Sequence, residues 1–93
     1  MIHNTTLSAQ GSQVKVRVAE YPDTCPLCGK GINVDFQYGY RFENGISAEL
    51  IFQCPRDACK HLFIGYYSQT IIPGISDDIF YLKKYRTYKI SGP

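Results

Sequence analysis

Tryptophan is missing from this chain, methionine occurs once, histidine twice, and no apolar run is long. Each shortage removes a class of protein. A helix that crosses a bilayer needs about 18 or more consecutive apolar residues, and no stretch approaches that. The opening "MIHNTTLSAQGSQ" has neither a basic n-region nor an apolar h-region. No secretory signal is read there, and a reducing cytoplasm is the expected location. There is no nucleophile–base constellation and no glycine loop built to cradle phosphate, so neither an enzyme nor a small-molecule binder is expected. No internal repeat appears beyond two cysteine pairs.

What is present points to a small β domain. The 93 residues are 44% hydrophobic and 19% charged, near the size below which a core is marginal without a staple. Eight tyrosines bring the aromatic content to 14%, a composition that favours pleated, half-buried surfaces over helices. Residues 1–12 read as a loose N-terminal segment and residues 13–93 as one domain. In "VKVRVAEY" (14–21), Val14, Val16 and Val18 alternate with Lys15 and Arg17, the pattern of a half-buried strand.

Residues 35–53 carry two further alternating runs. Phe36, Tyr38, Tyr40 and Phe42 share one face of a strand, and Ile46, Ala48, Leu50 and Phe52 share one face of the next. A two-residue Asn44-Gly45 turn would set Phe42 opposite Ser47 and put these sets on opposite faces. A three-residue loop, Glu43-Asn44-Gly45, sets Phe42 opposite Ile46 with Gly45 in the left-handed region and keeps both sets together. The longer loop is therefore expected. "HLFIGYY" (61–67) reads as an apolar strand and "TIIPGISDD" as a loop. Residues 77–84 carry both a helix-capping pattern and β-forming side chains, and the tail is read as mostly strand.

The cysteines carry the chemistry. Cys25 and Cys28 lie in "CPLCGKG", and Cys54 and Cys59 in "CPRDAC". Proline after the first cysteine fixes φ, and Gly29 permits the turn to fold over the sulfurs. The hairpin separates the pairs, so both turns lie at its open end and can meet over one ion. Paired cysteines in a cytosolic chain point to metal rather than disulfides, and spacings of two to four residues are normal for structural zinc. One structural Zn²⁺ on Cys25, Cys28, Cys54 and Cys59 is expected, with iron, disulfides or inert thiols as the alternatives. The expected fold is mainly β: a small antiparallel sheet of the zinc-ribbon type, with a long central hairpin and two cysteine knuckles. Four thiolates saturate the ion, which argues against catalysis. His61 reads as a strand residue near the metal, or more sharply as a substitute ligand or supporting donor. Asp77-Asp78 read as a solvated turn.

"CPLCGKG", the long hairpin and "ELIFQCPRDACKHLFIGYY" resemble the N-terminal zinc-ribbon segment of a family of uncharacterised prokaryotic proteins. In that family the segment precedes a helical domain of unknown function, often encoded near restriction and phage-defence genes. The likeness covers roughly residues 20–90 and implies a module of a larger protein or assembly. The chain ends at "KISGP", where the helical domain would begin, so an isolated domain and a fragment are both open.

Two kinds of partner follow. A structural or docking module meets a protein or a missing C-terminal domain. The alternative is nucleic acid, held by Lys83, Lys84, Tyr85, Arg86, Tyr88, Lys89 and Arg56, where tyrosines stack on bases and cations follow phosphates. The same lysines would also protect a sheet edge. Four thiolates and a divalent ion bring the formal charge of +2 to zero, whereas nucleic-acid binders are usually strongly basic. The docking module is the preferred reading.

Overall fold

The computed structural model describes residues 2–29, 33–72 and 75–87. Among the described residues six strands occur in chain order: β1 (His3–Ala9), β2 (Ser12–Val18), β3 (Asp35–Arg41), β4 (Ser47–Gln53), β5 (Leu62–Ile72) and β6 (Ile75–Thr87). They close into a barrel in the order β1-β2-β6-β5-β4-β3. Strands β3 to β6 form an antiparallel meander. The β1–β2 hairpin plugs the gap between its ends and pairs parallel at both seams. Those seams are thin: Ser8↔Tyr40 joins β1 to β3, and Arg17↔Ile79 with Val18↔Phe80 joins β2 to β6. The fold is mainly β, as expected, but it is a closed six-stranded barrel rather than a purely antiparallel sheet. Among the described residues no helix is long and apolar enough to cross a membrane.

Residues 3–9 are not loose. They form β1 because Gln10 and Gly11, with φ of 48° and 80°, make a two-residue turn with both residues left-handed. This twist matches the strands it joins, and every residue from His3 to Ala9 pairs with β2. Leu7 is fully buried and Thr5 nearly so. The ambiguous 77–84 stretch is strand throughout, part of β6. The segment read as the loop "TIIPGISDD" is mostly strand as well, while Pro73-Gly74 lies outside the described residues.

The β3–β4 hairpin corrects the expected register. At the cysteine end Phe36 faces Phe52, the partner that the three-residue loop requires. A bulge at Gln37 then shifts the ladder by one, so Tyr38 faces Ile51 and Arg41 faces Ala48. At the tip Phe42 N–H donates to Ser47 O, leaving four residues in the turn. Gly45 is left-handed, as expected, and Asn44 Oδ1 accepts from the N–H groups of Ile46 and Ser47 at 3.1 Å each. The bulge turns Tyr38, Tyr40 and Phe42 outward, and all three are exposed. Gly39 faces the interior instead. A methyl group there would lie 2.6 Å from Leu7 Cδ2 and 2.9 Å from Glu49 O. The barrel wall is too close to Leu7 to admit a tyrosine, so one inserted residue trades ring for glycine.

The core is built from Leu7, Val16, Val18, Ala48, Leu50, Phe52, Phe63, Tyr67 and Phe80, with Val34 beside them. Phe52 is its centre, edge-on to Phe36 and Tyr21 and stacked on Phe63 at 5.7 Å.

Candidate metal centre

Two turns at one end of the barrel carry the cysteines. In the first, Gly29 N–H donates to Cys25 O at 2.8 Å, and Gly29 has φ of 70°. In the second, the N–H groups of Cys59 and Lys60 both donate to Arg56 O at 2.9 Å, and Lys60 has φ of 51°. The turns therefore match residue by residue if Arg56, Cys59 and Lys60 are laid over Cys25, Cys28 and Gly29. Arg56 stands at the backbone position of the first ligand. The sulfur comes from Cys54, two residues upstream, just past the end of β4. Cys54 N–H donates to His61 O at 3.1 Å, and Gln53 Nε2 donates to Lys60 O at 3.0 Å. The β4–β5 ladder thus extends into the site and holds the longer spacing rigid.

All four sulfurs lie within 4.8 Å of one another. Cys25 Sγ is 3.8 Å from Cys59 Sγ, and Cys28 Sγ is 3.8 Å from Cys54 Sγ. A disulfide would bring two sulfurs to about 2.05 Å, far closer than these separations. A tetrahedron with Zn–S near 2.3 Å has edges of about 3.8 Å, so the donor set fits a four-thiolate ion. Cys25 and Cys54 are fully buried, while Cys28 and Cys59 are half-buried. Burial pushes the Cys54 thiol up to about 12; the Arg56 N–H works against that, and the other three cysteines reinforce it. Burial thus favours the neutral form of Cys54, and a divalent cation would invert that preference.

The first turn is moored by aromatic side chains. Tyr67, buried in the core, donates its hydroxyl to Glu20 O at 2.9 Å, and burial raises its phenol above the ordinary range. Tyr21 stacks on His3 at 3.9 Å and shares a hydrogen bond with Thr5 Oγ1. Residues 20 and 21 are thereby pinned to β1 and β5, a few residues before Cys25.

The other expected contacts do not form one group. Lys83, Lys84 and Arg86 are exposed on β6. Tyr85 lies edge-on to Phe63 at 6.1 Å; burial raises its phenol, helped by Asp23 and Glu20. It faces away from Lys84 and Arg86. Arg56 is half-buried, and the exposed tip of its turn is Asp57 and Ala58. Tyr88 and Lys89 lie outside the described residues. His61 is exposed and contributes its backbone carbonyl, not a ring nitrogen, to the site. Asp78 lies on β6, where its carbonyl accepts from Gln69 Nε2 at 2.9 Å. Sequence reasoning missed Tyr38, Tyr40 and Tyr66 as surface groups, because an unforeseen bulge decides which way Tyr38 and Tyr40 point.

Comparison with protein families, curated proteins and solved structures finds no match to this chain.

Proposed function

We propose that the protein is a zinc-stabilised β module with a structural or docking role in a larger prokaryotic protein or assembly, and that it is not an enzyme. The observation that carries this reading is the set of four convergent sulfurs with 3.8 Å edges. Four thiolates leave no coordination position for a substrate or reactive water. Two cysteine turns at the open end of one hairpin support the zinc-ribbon type and the resemblance to the segment preceding a helical domain. Four cysteines clustered at metal-ligand spacing, not at disulfide distance, suit a cytoplasmic setting.

Elemental analysis of the purified protein tests the metal. About one zinc per chain is expected, and cobalt(II) substitution is expected to give the bands of a tetrahedral four-sulfur site. Iron with a rubredoxin-like spectrum would replace zinc in this reading, and a stably folded protein without metal would end it. A second reading, nucleic-acid binding, is favoured by the tyrosines and cations on one outer face of the sheet.

A further inference from the structure

The outward face of β3 to β6 can be read from the register. One row runs Tyr40–Glu49–Tyr66–Lys84, and the next runs Tyr38–Ile51–Ile64–Arg86. At about 4.8 Å between neighbouring strands, each row is about 14 Å wide. Tyr38 and Tyr40 are 51% and 46% exposed, with their rings edge to face at 5.7 Å. Ile51 beneath them is only 5% exposed, so rings rather than aliphatic groups form the surface. Lys84 Nζ lies 5.2 Å from the Tyr66 ring centre. Among the described residues neither Lys84 nor Arg86 has a carboxylate within ion-pair distance. Glu49 is the one carboxylate in these two rows.

From this arrangement we propose that the outer face of the β3–β6 sheet binds single-stranded nucleic acid, with bases stacked on Tyr38 and Tyr40 and phosphates held by Lys84 and Arg86. The charge distribution selects this occupant. Ring faces accept any base, and unpaired cations along β6 match a phosphate backbone. Paired bases in a duplex have no free faces to offer, so single strands are preferred. Glu49, between the two tyrosines of its row, can accept a hydrogen bond from a base amino group. The proposal goes beyond the structural role of the metal centre and uses none of its ligands.

The test is fluorescence anisotropy of a labelled mixed-sequence 20-mer, titrated with zinc-loaded protein of verified metal content at about 50 mM salt. Binding is expected to be tighter for the single strand than for its duplex. Tyr38→Ala and Tyr40→Ala are each expected to weaken it about five- to hundredfold, while Tyr38→Phe and Tyr40→Phe retain it because the stacking face remains. Lys84→Ala and Arg86→Ala are each expected to flatten the slope of log K against log salt by about 0.7. All four positions substituted are exposed, and circular dichroism with zinc content verifies the fold of each of the six variants. No binding, equal binding of duplex, or binding indifferent to both alanine variants would overturn the proposal. Loss on tyrosine-to-phenylalanine change would overturn the stacking role.

Discussion

At the scale of single residues, two positions carry disproportionate weight. Gly39 is where β3 passes against Leu7, and a methyl group there meets the Glu49 backbone oxygen at 2.9 Å. The Leu7 side chain can shift, but a backbone carbonyl in a paired strand cannot. Gly39→Ala is therefore expected to destabilise the protein by about 1–3 kcal/mol through overpacking, visible as a lower denaturant midpoint at unchanged slope. Tyr67 has a different task. Its hydroxyl holds Glu20 O at 2.9 Å, five residues before the first ligand. Tyr67→Phe keeps the ring in the core and removes that bond, at a cost of about 0.5–1.5 kcal/mol. A zinc-competition titration is expected to show weaker metal binding as well, since the Cys25 turn loses its mooring. Unchanged zinc affinity would mean that the aromatic contacts of Tyr21 position the turn alone.

At the scale of elements, the two metal turns share one hydrogen-bonding scheme but close it with different residues. Gly29 adopts φ of 70° without penalty, whereas Lys60 adopts 51° with a side chain. A left-handed conformation costs a non-glycine residue about 1–2 kcal/mol. Gly29→Ala is expected to destabilise by that amount although nothing lies within 4 Å of the added methyl. Lys60→Gly is expected to stabilise by up to about 1 kcal/mol, because glycine's greater freedom in the unfolded chain offsets part of the gain. Its 4.0 Å contact with exposed Asp57 contributes little. Denaturation midpoints of both zinc-loaded variants check the opposite signs. The same elements show what sequence can and cannot disclose. The cysteine pairs, the alternation of β2 and the left-handed Gly45 are local, and each was legible. β1 was not, because "HNTTLSA" has one large apolar residue and its hairpin turns on Gln10-Gly11 rather than a stronger turn pair. The bulge at Gln37 was not legible either: it answers to Leu7, which reaches Gly39 only once the barrel has closed. Closure itself depends on pairing between strands distant in sequence, on which local alternation is silent.

At the scale of the whole molecule, an ion held by the four-cysteine cluster would fasten the barrel where its own pairing is weakest. The β1–β2 hairpin is tied to the meander by the Ser8↔Tyr40 bridge on one side and two residue pairs on the other. The chain between β2 and β3 carries Cys25 and Cys28, while Cys54 and Cys59 sit between β4 and β5. A shared ion would therefore tie the hairpin's exit to the middle of the meander. Structural zinc contributes about 10 kcal/mol or more to folding, comparable to the entire stability of a small domain. Removal by a chelator is expected to release the hairpin and unfold the protein, seen as loss of the thermal transition and its return when zinc is restored. The response to pH has a definite sign. A thiol raised from 9.0 to about 12 by burial in the metal-free fold stays protonated well beyond the ordinary thiol range. It favours that fold fully below 9.0 and loses the effect as pH rises toward about 12. With zinc removed and the chain unfolded, Cys54 is an ordinary thiol, so zinc displaces its proton below 9.0 and affinity falls as pH falls. Competition against a chelating indicator from about pH 6 to about pH 10 measures this. A plateau beginning near 9.0 is expected; a rise that continues above 9.0 would show instead that Cys54 stays buried in a folded protein before the metal arrives.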